Sequence, residues 1–288
     1  ASRDTVASEA AASEIRAEAP EVDIEVMRLD LGSMADVRRF VGELRSKEFT
    51  INAIVCNAGL MKTHLTTTCD NLETTFAVNH LGHFLLVNLL LHHLMASSPS
   101  RVIVVSSATH DPMQMTGMPN PDVESMETLA TTGCASPDPA AYNGRLAYVN
   151  SKLANLWFTY ELIRRIEAKG LLGITVHAYE PGLVPGSGLA RDYPAWARQI
   201  WNVTGPAFGW IASKLTYKIG TSSRAGAALA ALVQDPALSL HSGLYFPSHT
   251  GWREGPSSEE SYQPQPAAQL WNTSMELTQL TRTESPLV

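Results

Sequence analysis

The sequence predicts a doubly wound, parallel α/β sheet, and three observations carry that prediction. Short apolar runs alternate along the chain with longer stretches of helical periodicity. The run Arg101 to Ser106 (RVIVVS) is continuously apolar from Val102 to Val105, as strands buried on both faces are. Most of the runs also break at small or polar residues, namely Asp30-Leu31, Asn57-Ala58-Gly59, Ser106-Ser107 and Pro181-Gly182. Ligands of such sheets bind outside the carboxyl ends of the strands.

The elements follow in order. Thr5 to Ala19 is Ala- and Glu-rich with helical spacing and stops before Pro20, and Ile24 to Leu29 reads as a short strand. Ser33 suits the N-cap of a helix through Ser46, with Val37, Phe40, Val41 and Leu44 as its apolar stripe. Ile51 to Cys56 is a strand, and Leu72 to Met95 one long helix. After RVIVVS, residues 109–141 are rich in Pro, Met, Thr and Asp and are expected to form a loop. Leu146 to Lys169 is helical, Ile174 to Tyr179 a strand, Thr221 to Val233 a helix and Gly243 to Phe246 a last strand. This order makes a Rossmann-like, three-layer α/β/α domain over 1–288, with 275–288 as a C-terminal tail.

Composition narrows the function classes. An apolar share of 44% and a charged share of 17% are ordinary for a globular chain of 288 residues. The net charge of −7 gives no broad basic footprint for nucleic acid. Cys56, Cys69 and Cys134 form no C-x-x-C pair, so neither a disulfide framework nor a zinc site is expected, and a cytoplasmic location is the default. His80, His83, His92 and His93 lack flanking carboxylates at ligand spacing, and no metal is assigned to them. No apolar run reaches the roughly 18 residues of a membrane span, because polar residues interrupt Leu81 to Met95.

Tyr148 and Lys152 carry the chemistry. Four residues apart on a helix, they share one face. A nearby ammonium favours the phenolate, so Lys152 is expected to draw the Tyr148 pKa down from about 10 and make a proton donor or acceptor. Alone, such a pair occurs in many helices by accident. Here Ser106-Ser107 precedes it at a strand end, and Asn79 lies within the helix between two strands.

The ordered set D-L, N-A-G, V-N-x-x-G, V-S-S, Y-x-x-x-K and P-G resembles the short-chain dehydrogenase/reductase pattern over most of residues 1–250. Its layout is most similar to the branch of retinol dehydrogenases and protochlorophyllide reductase-like enzymes. The segment from Pro181 to Arg191 resembles some microbial ketoreductases of natural-product pathways. The resemblance implies Tyr148 as acid/base, Lys152 on the nicotinamide ribose, Ser107 on the substrate oxygen, and Asn79 kinking its helix and holding a relay water. It implies a cofactor wall from Asp30, Leu31, Asn57, Ala58 and Gly59, with Pro181, Gly182 and Val184 beside the nicotinamide. Plainer roles stand beside these: Asp30 as a helix cap, the serines as satisfiers of a strand end, the 196–210 aromatics as core rather than part of a substrate lid over 186–220.

The family opens with T-G-x-x-x-G-x-G, which cradles the dinucleotide phosphates. Nothing upstream of Ala1 supplies it, so a first strand–helix unit is expected to be lacking. Gly182, Gly186 and Gly188 copy the spacing, but Pro185 removes a donor that a phosphate cradle needs. Arg3, just past the second strand of the family pattern, points to NADP(H), although Asp4 follows it. The expected activity is NADP(H)-dependent interconversion of a bulky, fairly hydrophobic carbonyl compound and its alcohol. The alternative is a non-catalytic relative that has lost the phosphate loop. The sequence does not set the oligomeric state; pairing of long helices is common in the family, so a homodimer stays open.

Overall fold

The computed structural model describes residues 1–47, 49–123, 126–132, 138–184, 192 and 221–288. Within them, helices α1 (Thr5–Glu18) and α2 (Met34–Ser46) precede strand β1 (Ala53–Cys56) and a long helix, α3 (Thr74–Ala96). Strand β2 (Ser100–Val105), a short helix α4 (Met126–Thr132) and helix α5 (Gly144–Ala168) follow. Strand β3 (Ile174–Tyr179), α6 (Ser222–Gln234), β4 (Tyr245–Phe246) and α7 (Pro264–Thr278) complete the order. The sheet runs β1-β2-β3-β4, and every neighbouring pair is parallel.

The alternation of β2 explains the layers. Val102 and Val104 join the large core built with α2, α3, α5 and α7, whereas Ile103 and Val105 join a smaller one with Leu232 and Leu238 beyond the opposite face. Successive residues of one fully buried strand thus serve two helical layers, which is why RVIVV shows no polar alternation. Arg101 locks α6 in place by donating to the carbonyls of Val233 (2.9 Å) and Asp235 (2.8 Å) at its end.

Three differences from the sequence expectation have physical causes. Ile24 to Leu29 forms no strand; it makes one isolated parallel bridge, Arg28 with Ser2. Its partner ends at once, because Asp4 turns away to cap α1 through Ala7 N–H (2.9 Å). Residues 109–141 hold α4, whose Leu129 and Ala130 are buried and whose Ala130 carbonyl accepts from Glu73 N–H. Helix α7 has no counterpart in the sequence reading, and residues 275–278 of the expected tail belong to it. It buries Ala267, Leu270, Trp271, Ser274 and Thr278 at helical spacing, with Trp271 edge-on to Phe84 at 4.9 Å. Helix α3 also contains a π-helical turn, Ala77–Leu81, in which Gly82 N–H reaches back to the Ala77 carbonyl. Among the described residues α3 is long and apolar enough to cross a membrane, and 94% of its most apolar stretch is buried inside the protein.

Asp36, at the start of α2, ties the N-terminal segment down. Its carboxylate accepts from Arg28 (2.5 Å), Arg39 (2.8 Å) and Asp30 N–H (2.7 Å). The Arg39 hydrogen bond, against the cost of burial, holds its pKa at about 2. A depressed carboxylate stabilises the fold above its unfolded pKa and loses that contribution as pH falls through the folded value. Asp36→Asn should therefore cost roughly 1 kcal/mol at pH 7, after screening around the exposed arginines. Urea midpoints of variant and wild type should converge as the pH drops from 4 toward 2; a gap that stays constant refutes the ionic account.

Candidate active site

The site forms where β2 ends on α5. The Val105 carbonyl, last in the strand, accepts from Lys152 Nζ (3.1 Å) and Asn155 Nδ2 (3.1 Å). The next two residues divide their work. Ser106 Oγ donates to the Lys152 carbonyl (2.8 Å) and so satisfies backbone. Ser107 instead lies beside the Tyr148 phenol and works against the rise of its pKa, while its Oγ accepts from Thr109 N–H (3.4 Å). Lys152 Nζ lies 5.6 Å from the centre of the Tyr148 ring, one helical turn along the same face.

Asn79 closes the third side from the π turn of α3. Its Nδ2 donates to the Leu60 carbonyl (2.9 Å) and to Ser151 Oγ (2.9 Å), and its Oδ1 accepts from Leu60 N–H (2.8 Å). The amide thus braces the loop after β1 against α5. The π turn is the kink expected at Asn79, whereas both amide N–H groups are committed to protein atoms. Its backbone carbonyl meets His83 Nδ1 at 3.0 Å.

Burial governs the titration of the pair. It pushes the Tyr148 phenol up to about 12, against the Ser107 hydrogen bond and with the Glu180 carboxylate adding to the rise. It pushes Lys152 down to about 8. The expectation that Lys152 draws the phenol downward is not met here, because desolvation dominates both groups. At neutral pH the site holds a protonated phenol beside a buried ammonium. That arrangement is ready to give a proton to a carbonyl oxygen.

The remaining expected residues surround this group. Asn57, Ala58 and Gly59 are exposed beyond β1. A β-carbon on Gly59 would stand 3.5 Å from Lys152 Nζ and 3.5 Å from Asn79 Oδ1. Pro181, Gly182 and Val184 lie half-buried beyond β3, Gly182 with φ 82°. Asp30 does not cap α2, which Ser33 does; its Oδ1 accepts from Gly32 N–H (3.0 Å) and shapes the turn. Leu31 is buried, with its carbonyl against Gly82. Arg3 is exposed beside the Ser2–Arg28 bridge, and the Asp4 carboxylate is taken up as a helix cap. The expected lid over 186–220 lies outside the described residues except for Asp192, paired with Lys62 at 2.8 Å.

Glu180 was missed by the sequence reading. Only 1% exposed, it accepts from Gly182 N–H (2.5 Å) and Ser248 N–H (2.8 Å), fixing the Pro181-Gly182 turn from below. Its signal was a carboxylate directly after a fully buried strand. His80 sits among Phe76, Phe84 and Phe158 with Nε2 on Ser274 Oγ (2.9 Å), and burial drives it down to about 3. Among the described residues no three His, Cys, Asp or Glu side chains gather as metal ligands.

A nicotinamide dinucleotide fits what is present on its ribose side. Lys152 is buried, carries three donors and meets one carbonyl among the described residues, with the bare Gly59 leaving room beside it. Ribose hydroxyls are the acceptors such an ammonium suits.

The parallel sheet with helices on both faces, and a Ser-Tyr-Lys-Asn group at its strand ends, place the chain in the doubly wound α/β class. Residues 1–118 match the family model described as short chain dehydrogenase. Human retinol dehydrogenase 12 is 33% identical over 277 residues, spanning 96% of this chain and 77% of that protein. Human retinol dehydrogenase 13 is 39% identical over 183 residues, 64% of this chain and 50% of its own length. A solved structure of an uncharacterized Mycobacterium paratuberculosis protein shares 28% identity at a TM-score of 0.64, covering 96% of this chain and 82% of that one. An NADPH-bound carbonyl reductase from chicken fatty liver shares the fold at 14% identity and a TM-score of 0.55, covering 89% of this chain and 85% of that one. The chain belongs to the short-chain dehydrogenase family, in its retinol dehydrogenase-like branch.

Proposed function

We propose that this protein is an NADP(H)-dependent carbonyl reductase or alcohol dehydrogenase for a bulky, fairly hydrophobic ketone, aldehyde or alcohol. The observation that carries the reading is the convergence of Ser107, Tyr148, Lys152 and Asn79 at the end of β2. Bound nicotinamide supplies or accepts the hydride. Tyr148 holds the proton that moves to or from the substrate oxygen, and Ser107 donates to that oxygen as charge develops on it. Lys152 holds ribose hydroxyls with the donors that Val105 leaves free. Asn79 and Glu180 act one step back, fixing the loops after β1 and β3.

Arg3 supports NADP(H), because a guanidinium at the surface suits a 2′-phosphate and Asp4 does not compete for it. Titrating the chain with NADPH and NADH, followed by nucleotide fluorescence, tests this. Saturable binding selective for NADPH is expected. Arg3→Glu should weaken NADPH by roughly 10- to 100-fold, the worth of one charge-assisted hydrogen bond, and leave NADH little changed. A folded chain that binds neither nucleotide is either a piece of a longer enzyme or the non-catalytic alternative, and binding restored by adding an upstream T-G-x-x-x-G-x-G unit separates the two.

A further inference from the structure

His110 closes the 3-10 turn Ala108–His110 that follows Ser107, and it is 1% exposed. Both its ring nitrogens are engaged. Nδ1 lies 2.5 Å from the Ser107 carbonyl, and Nε2 lies 3.2 Å from the backbone nitrogen of Ser258. A backbone N–H can only donate, so Nε2 is the acceptor and Nδ1 carries the proton toward Ser107. The tautomer is therefore set by the segment that follows β4. The ring also stands edge-on to Tyr245 of β4, 5.6 Å away at 85°. Burial holds the imidazole below its ordinary range although Asp111 and Glu260 favour the charged form, so it is neutral at pH 7.

We propose that His110 is a positioning residue for Ser107: locked as the Nδ1–H tautomer by Ser258, it clamps the turn that aims the Ser107 hydroxyl at Tyr148. This rests on the catalytic reading of Ser107 and Tyr148. The clamp has one end on each side of the sheet terminus, so the 257–262 segment and the reacting hydroxyl move together. Three serines in that segment, Ser257, Ser258 and Ser261, are buried, and Tyr160 holds Ser257 at 2.7 Å. The anchor itself is thus fixed to α5, the helix that carries Tyr148.

Two amides separate the ends of the clamp. His110→Asn keeps a donor near Nδ1 and loses the Ser258 contact, whereas His110→Gln keeps an acceptor near Nε2 and loses the donor to Ser107. Gln should lower kcat roughly 10- to 100-fold, the scale of an ångström-sized misplacement, with the Kd for NADPH unchanged. Asn should recover most of that loss. In a Ser107→Ala background the Gln substitution should cost almost nothing more, since the hydroxyl it positions is gone. Wild-type kcat for the Gln variant, or equal losses for both amides that add fully to Ser107→Ala, overturns the proposal. Should the Gln variant fail to fold, Ser258→Pro decides, because Ser258 already has φ −64° and loses its N–H together with a hydroxyl that bonds nothing among the described residues. A several-fold fall in kcat supports the clamp, and no fall refutes it. Nitrogen-15 spectra read the tautomer without any turnover: the Nδ1–H form is expected, and the Nε2–H form ends the argument. Full activity in Tyr148→Phe sinks the catalytic reading itself, whereas an inactive Tyr148→Phe beside a fully active His110→Gln sinks only the clamp.

Discussion

Tyr148→Phe is expected to lower kcat by roughly 10³-fold, within the span that general acid–base catalysis contributes. The variant should still fold, because only the phenolic hydroxyl is lost while the ring, 7% exposed, packs as before. Circular dichroism and nucleotide affinity should match the wild type, and only the chemical step should suffer. Turnover at the wild-type rate refutes the proton-transfer role. The wild-type pH profile gives a second check on the same group. With the phenol near 12 and the ammonium near 8, carbonyl reduction should hold through neutral pH and fall as pH rises through about 8, where Lys152 loses its charge. The sign follows from Lys152 being depressed: it is charged below that value and neutral above it. Alcohol oxidation needs the phenolate, so its rate should climb with pH before the same loss of Lys152 limits it.

How legible this site was depends on the distance over which each feature is decided. Tyr148 and Lys152 meet because a helix places i and i+4 together, which sequence spacing alone reveals. The strand RVIVV declares itself because both its faces are covered. Spacing does not tell Ser106 from Ser107, and only the resemblance singled out Ser107; the placement of α5 is what sends Ser106 to the Lys152 carbonyl and sets Ser107 beside Tyr148. Glu180 and His110 were out of reach for the same reason, since their partners Ser248 and Ser258 lie 68 and 148 positions away. Helix α7 opens on Pro264-Gln-Pro266, a turn-like start, and its apolar side is decided by Phe84 and Phe158 far upstream. Local pattern misleads in the other direction at Ile24 to Leu29, where a good strand composition meets a partner one residue long.

Gly82→Ala should destabilise the protein by about 3 kcal/mol, the upper end for overpacking, and lower Tm by roughly 6–12 °C. A β-carbon there would stand 2.4 Å from the Leu31 carbonyl oxygen and 2.7 Å from the Leu31 β-carbon, so backbone, not a side-chain tip, has to move. Gly42→Ala is the matched control. It lies exposed in α2 with nothing within 4 Å of the added carbon, and should stabilise by up to ~1 kcal/mol through helix propensity. Opposite signs from one chemical change separate close approach from propensity. The consequence reaches the site, because Gly82 ends the π turn that carries Asn79, and Leu31 adjoins Asp30 in the expected cofactor wall. Pushing Leu31 outward should weaken NADPH binding as well as folding. A Gly82→Ala protein as stable as Gly42→Ala shows that α3 can retreat from Leu31, and the V-N-x-x-G glycine then has no steric reason to be there.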